Sequence, residues 1–202
     1  MQPDPMILAF DTSAAHCAAA LLCGDRIVAE RHEDMAKGQA ERLFPLLEEV
    51  LADANLAWSD LTAIGVCVGP GNFTGIRISV SAARGLSLSL GVPAIGVSSL
   101  EAQALNAPRP VWSLIDARRD HFYAQQFADD GTTAPNLITG DEAADLTGDR
   151  IGPEVAASPA PAIARIAAER LLAGATEDRP APLYIRSADA APPRDPAPVI
   201  LP

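Results

Sequence analysis

Three glycines stand within seven residues in Val68–Arg77, which reads VGPGNFTGIR. An apolar run precedes them and a long apolar run follows, so the loop joins two buried elements. Such a loop can open a helix whose free N–H groups receive an anion. The spacing, however, meets neither phosphate signature. A dinucleotide fingerprint would need glycine three residues after Gly71, where Thr74 stands, and a Walker loop would need lysine after Gly75, where Ile76-Arg77 stand. Pro70 removes one donor. The loop is therefore either a tight strand-to-helix turn or a weak anion site. Asp11-Thr12-Ser13 at the end of a first strand poses the same choice, a magnesium-phosphate contact or an Asx or Ser/Thr turn. The candidate nucleotide contacts are Asp11, Thr12, Gly69, Gly71 and Thr74.

Other chemistry is scarce. Asp116 ends the first strand of the second half and mirrors Asp11, but Ala117-Arg118-Arg119 follow it where a phosphate hairpin would need glycine. The three histidines, His16, His32 and His121, form neither HxxxH nor HExxH, and no GxSxG elbow occurs. His16 and Cys17 are neighbours on a strand and point to opposite faces, so they cannot pair. Cys17, Cys23 and Cys67 lack metal or disulfide spacing and read as small buried hydrophobes. No catalytic residue and no metal ligand is assigned.

Composition sets the surroundings. The chain has 202 residues and a formal net charge of −11, which repels nucleic acid, so contact with RNA requires a basic partner. Arg118-Arg119 is the only adjacent basic pair. Hydrophobic residues make up 49% and aromatics 4%, so the core is aliphatic and alanine-rich and its elements can approach closely. The first residues, MQPDPM, carry no signal-peptide pattern, and no apolar run is long enough for a membrane span, which places the chain in the cytoplasm.

The elements that position these residues follow from periodicity. Met6–Ser13, His16–Cys23 and Arg26–Glu33 read as a three-strand meander with a turn at Gly24-Asp25. Residues 40–54 switch to a helical period, with Leu43, Leu47 and Val50 on one face, Leu51 flanking it, and Pro45 expected to kink or restart the helix. Thr62–Gly69 is a buried strand. Residues 75–90 carry both a strand and a helix pattern; length and a Thr74 cap favour helix. On that helix Ser81, Gly85 and Ser89 are spaced i, i+4, i+8, with Ile78 and Ala82 beside them. This small stripe admits a close neighbour, either the 40–54 helix or another protein. Val92–Ser98 is a strand, and a capping box at Ser98–Glu101 opens a helix to Leu105. A hinge at Ala107–Pro110 divides an N-terminal lobe, 6–107, from a smaller lobe, 108–202. The second lobe opens with a hairpin, Val111–Ala117 and His121–Ala128. A second capping box at Thr139–Glu142, a helix over 161–173 and an extended tail with a strand-like Leu183–Arg186 follow.

In order and spacing, ILAFDTS, HCAAALL, GVCVGPGNFTGIR, VPAIGVSSLEA, SLIDARRDHFYA and APLYIR resemble the TsaB (YeaZ) family, from Met6 to about Arg186. The resemblance implies an α/β fold of the actin-like, hexokinase-like and Hsp70-like (ASKHA) kind. It implies the non-catalytic dimerisation subunit of the bacterial complex that forms threonylcarbamoyladenosine at tRNA adenosine 37. It implies pairing with the catalytic paralogue TsaD, or with a second copy when alone, through helices 40–54 and 75–90. Leu43, Leu47, Leu51, Ile78, Ser81, Ala82, Gly85 and Ser89 are the interface candidates. The ATPase TsaE joins the assembly, and tRNA is met only through it. TsaD binds a metal through HxxxH, and the matching stretch here, Ser99–Gln103, has no histidine. No cofactor is expected in the isolated chain, and a nucleotide at the subunit junction is left open. Gln39 stands where many relatives have histidine. The alternative is a weak stand-alone ATPase resting on Asp11, Thr12 and the glycine loop.

Overall fold

The computed structural model describes residues 4–152, 158–174 and 179–185. The tail beyond 185, including the last residue of APLYIR, lies outside them. The chain opens with β1 (Met6–Asp11), β2 (His16–Cys23) and β3 (Arg26–Asp34), then α1 (Gln39–Asp53), β4 (Ala63–Cys67), α2 (Phe73–Leu90), β5 (Ala94–Val97) and α3 (Ser99–Ala104). These strands form one sheet in the order β3-β2-β1-β4-β5, the first three antiparallel and β1, β4 and β5 parallel. The second sheet is built from β6 (Val111–Asp116), β7 (His121–Ala128), β8 (Gly131–Thr132), β9 (Asn136–Thr139) and β10 (Asp149–Ile151), with α4 (Gly140–Asp145) after β9. Its order is β10-β6-β7-β8, and β9 also pairs with β7. Each sheet thus begins with an antiparallel hairpin, the ASKHA arrangement expected from the sequence.

Except at its edge strand β3, the first sheet is buried on both faces. Side chains alternate along β1, so Leu8 and Phe10 point to α1 and α2 while Ile7 and Ala9 point the other way. The second face is covered by α5 (Ala160–Leu172), which follows the second sheet in sequence yet packs on β1, β2, β4 and β5. Small residues let it approach. A Cβ placed on Gly65 would meet Ala9 Cβ at 3.1 Å and Ala167 Cβ at 3.2 Å. Arg170 of α5 then grips α3, its guanidinium donating to both oxygens of Glu101 at 2.7 and 2.8 Å.

Several local expectations change. α1 runs unbroken through Pro45. Pro45 and Glu41 both face solvent, so the carbonyl that loses its helical donor is left to water. α2 is a helix, but its cap is Asn72, whose Oδ1 accepts from the N–H groups of Thr74 and Gly75 at 3.0 Å each. Thr74 lies inside the first turn instead. At α3 the Ser98 hydroxyl accepts from Leu100 N–H as expected, while Glu101, the other half of the expected box, is taken by Arg170. The box at Thr139 and Glu142 is complete. The strand-like Leu183 makes a single described backbone bond, Leu183 N–H to Val68 C=O at 2.8 Å, and no ladder.

Candidate functional site

Two concave surfaces meet at the start of α2. The first is a cleft of about 1420 Å³ between the sheets. Asp11, Ser13, His16, Gly71, Asn72 and Thr74 line one wall, and Asp116, Ala117 and Arg118 line the other. Of the five candidate nucleotide contacts, Asp11, Gly71 and Thr74 reach this cleft. Thr12 and Gly69 do not.

The polar groups at the Asp11 wall are engaged with one another. Asp11 Oδ1 accepts from Ser13 N–H at 2.6 Å, and Oδ2 lies 3.0 Å from His16 Nε2. The Thr12 hydroxyl donates to Gly75 C=O at 2.7 Å, and Asn72 N–H donates to Ser13 C=O at 2.6 Å. The glycine loop is therefore seated directly on the Asp11–Ser13 turn. Two of its glycines are required by that contact. A Cβ at Gly75 would collide with Thr12 C=O, and one at Gly71 with Ser13 C=O. A different requirement holds at Gly69, where φ is 92°. Across the cleft Arg118, Arg119 and Asp120 occupy three successive left-handed conformations, φ 63°, 54° and 57°. Each is sterically unfavourable for an L-residue with a Cβ. Asp116 Oδ1 accepts from Arg118 N–H at 2.8 Å and Asp120 C=O accepts from Gly140 N–H at 2.9 Å, which hold this turn.

Asp11 and His16 form a buried pair, 1% and 9% exposed. Burial pushes the Asp11 carboxyl up, but the hydrogen bond and charge of His16 and the Ser13 N–H outweigh it and hold it below the ordinary 3.8. Burial pulls the His16 imidazole down, and Asp11, with a smaller contribution from Asp34, carries it above 6.5. Burial pushes the Cys17 thiol up to about 11 and Cys67 well above 9.0. Cys17 and Cys67 are buried and stay protonated at neutral pH; Cys23 is half-buried. Among the described residues no group of three or more His, Cys, Asp or Glu side chains is gathered to hold a metal. In α3, Ser99 donates to Pro70 C=O at 2.6 Å, and the Gln103 amide donates to Leu114 C=O of β6 at 3.0 Å and Ile151 C=O of β10 at 2.9 Å. The stretch that lacks histidine ties the first lobe to the second sheet.

The second surface is an open trough of about 810 Å³ between α1 and α2, lined almost entirely by apolar and small residues. Leu43, Ile78, Ser81, Ala82, Gly85 and Ser89, six of the eight interface candidates, line it, beside Ala40, Phe44 and Leu86. Leu47 and Leu51 do not. They are 0% and 3% exposed and belong to the core against β1 and β2, as does nearly all of Leu43. The apolar stripe read from the sequence is the inner face of α1, and the outer face is carried by Ala40 and Phe44. Phe44 and Phe73 stay 44% and 51% exposed. A Cβ on Gly85 would touch nothing within 4 Å, so that position opens wholly onto the trough. At one end the Arg77 guanidinium lies 3.6 Å over the Phe73 ring and donates through Nε to the Tyr184 hydroxyl at 2.8 Å.

Asn72 was missed in the sequence although asparagine three residues before Gly75 is a strong N-cap signal. The Asp11–His16 pair was missed too. Its signal is the hairpin register, since Asp11 faces Ala18 and His16 shares the face of Ala18. Nothing local to residue 77 points to Tyr184, which arrives from 107 positions away.

The family described as TsaD, tRNA N6-adenosine threonylcarbamoyltransferase, matches residues 28–185. TsaB of Bacillus subtilis, a "tRNA threonylcarbamoyladenosine biosynthesis protein", is 39% identical over 120 residues, 58% of this chain and 52% of that protein. YeaZ from Pseudomonas aeruginosa superposes with a TM-score of 0.75 at 26% identity, covering 89% of this chain and 99% of that one. The chain belongs to the TsaB (YeaZ) family. An uncharacterized protein of Mycobacterium tuberculosis is similar over nearly its whole length, 34% identical across 92% of this chain and 94% of its own. The alignments with named TsaB proteins are shorter and span about half of each, 52% in Bacillus subtilis and 55% in Escherichia coli. In this TsaB-family chain the matched region 28–185 contains both walls of the cleft from Gly71 onward and the whole α1–α2 trough.

Proposed function

We propose that this chain serves threonylcarbamoyladenosine formation on tRNA as a non-catalytic subunit. It docks the catalytic paralogue TsaD through the α1–α2 trough, and a second copy covers the trough when the paralogue is absent. TsaE joins the complex, and the acidic chain meets tRNA only through its partners. The observation that carries this reading is the trough itself. An apolar channel of about 810 Å³ with two exposed phenylalanines and an exposed glycine at its floor is a surface built to be covered.

The cleft supports the non-catalytic half of the reading. The Asp11 carboxylate, the Thr74 and Gly75 N–H groups at the head of α2 and the neighbouring Thr12 hydroxyl are already bonded within the chain. For a nucleotide at the subunit junction this chain would offer Asp11, Gly71 and Thr74 from the cleft wall. No helix among the described residues is long and apolar enough to cross a membrane. The proposed role on tRNA is a cytoplasmic one.

Co-purification with the paralogue tests the docking. Gly85→Leu fills the trough floor without touching the core. The expected result is a folded variant, melting like the parent, that no longer retains TsaD. A Gly85→Leu chain that retains TsaD at full strength would refute the trough as the docking site.

A further inference from the structure

The trough is apolar along its length and carries one charge. Arg77 is the only ionised side chain among its lining residues. Its position is fixed from three sides. Phe73 lies beneath the guanidinium at 3.6 Å, the Tyr184 ring stands 5.8 Å from Cζ, and the Tyr184 hydroxyl takes the Nε–H at 2.8 Å. Phe73 and Tyr184 are themselves in contact, ring centroids 5.5 Å apart. Tyr184 is held in turn by its own segment. Leu183 N–H donates to Val68 C=O at 2.8 Å, and Pro180 packs at Gly96, where an added Cβ would meet Pro180 Cβ at 3.4 Å. Two aromatic groups and a hydroxyl thus remove the freedom of a long cationic side chain. Among the described residues no carboxylate pairs with Arg77.

A guanidinium whose Nε is already occupied still presents the N–H groups of Nη1 and Nη2, a planar fork that matches a carboxylate. The cost of ordering that fork has been met within the folded chain, which is how a preorganised contact gains affinity. We infer that Arg77 is a carboxylate-receiving anchor. The partner that fits the trough is a protein presenting an apolar helical ridge with an aspartate or glutamate at the end that reaches Phe73 and Tyr184. A second copy of this chain fits less well. In an isologous contact the same patch meets itself, so each copy would bring another Arg77 and no carboxylate from the trough lining. The inference rests on the docking reading above and adds the chemistry of the partner and the part played by the 179–185 segment.

The test measures the affinity of the full chain for the paralogue at 50 and 500 mM salt, with Gly85→Leu, Arg77→Met and Tyr184→Phe beside the parent. A matched series measures self-association of the chain alone by sedimentation. Arg77 is exposed, so Arg77→Met should melt like the parent. The expected pattern is that Gly85→Leu loses the complex at both salts. Arg77→Met should weaken it about tenfold or more at low salt and abolish most of its salt dependence. Tyr184→Phe, which keeps the ring and frees Nε, should weaken it several-fold, and self-association should be unchanged or strengthened by Arg77→Met. Loss of the complex in Gly85→Leu together with parental affinity and salt dependence in Arg77→Met would overturn the anchor while leaving the docking reading intact. Parental binding by Gly85→Leu would remove the docking reading and the anchor with it. Self-association weakened by Arg77→Met as much as the heterocomplex would assign the fork to a second copy and overturn the choice of partner.

Discussion

At the scale of single residues, the glycines of the loop separate by physical reason. Gly75 has no room for a side chain because Thr12 C=O occupies the space a Cβ would take. Gly75→Ala must push the α2 start off the Asp11–Ser13 turn and break the Thr12–Gly75 bond. Thermal or urea unfolding should show a loss of about 2 kcal/mol or more, in the range of a buried backbone clash. A parental melting curve would mean the loop is not seated as described. The buried Asp11–His16 pair makes stability depend on pH in a definite direction. The depressed Asp11 contributes stability present above 3.8 and lost as pH falls through its lower folded value. The raised His16 contributes stability present below 6.5 and lost as pH rises through its higher folded value. Urea titrations of the parent and Asp11→Asn should therefore differ most between about pH 4 and 6.5, by roughly 2 kcal/mol for a charged hydrogen bond. The difference should shrink on either side. A difference that grows steadily to pH 9 would contradict the pairing. These residue-level facts were half legible. The sequence raised both readings of the loop and of Asp11-Thr12-Ser13, but the contact between them joins segments some sixty positions apart and leaves no local trace.

At the scale of elements, periodicity places the strands and helices around the first sheet, because β1, β2, β4 and β5 are buried apolar runs. The short strands β8, β9 and β10 of the second sheet carry no such run and leave no signal. α2 was ambiguous because its small and apolar residues satisfy both periods, and the cap decides between them. Asn72 ties two of the orphan N–H groups, so Asn72→Ala should cost about 1 kcal/mol of stability. The cost should be recovered in part by Asn72→Ser or Asn72→Asp, read in the melting temperature of the chain. An Asn72→Ala chain as stable as the parent would show that the cap contributes nothing. The face assignment of α1 was the misleading part. Leu43, Leu47 and Leu51 mark an apolar stripe, and a stripe says that a face is covered without saying by what. Here the sheet covers it. The outer face shows only Ala40 and Phe44, a single i, i+4 apolar pair that is too short a pattern to stand out beside the leucine stripe.

At the scale of the whole molecule, the two lobes are less separate than the sequence suggests. Residues 107–110 run between α3 and β6. The helix 160–172, however, returns to the first sheet, and its alanine-rich face is what permits contact with Gly65 and Ala9. The 179–185 segment returns further, to the head of α2. Such returns are invisible to a reading that assigns elements in order, since the matching surfaces are complementary only in three dimensions. Their consequence is a trough whose floor comes from residues 40–89 and whose charged end is set by residue 184. In the proposed function this chain is a docking surface and its partner the site of turnover. The most direct measurement is threonylcarbamoyladenosine formed on tRNA in reconstituted mixtures, from this chain alone and from this chain with TsaD and TsaE supplied with the activated threonylcarbamoyl donor. No product is expected from the chain alone, and the product of the full mixture should fall when Gly85→Leu replaces the parent. Modified tRNA made by this chain with no other protein present would contradict it.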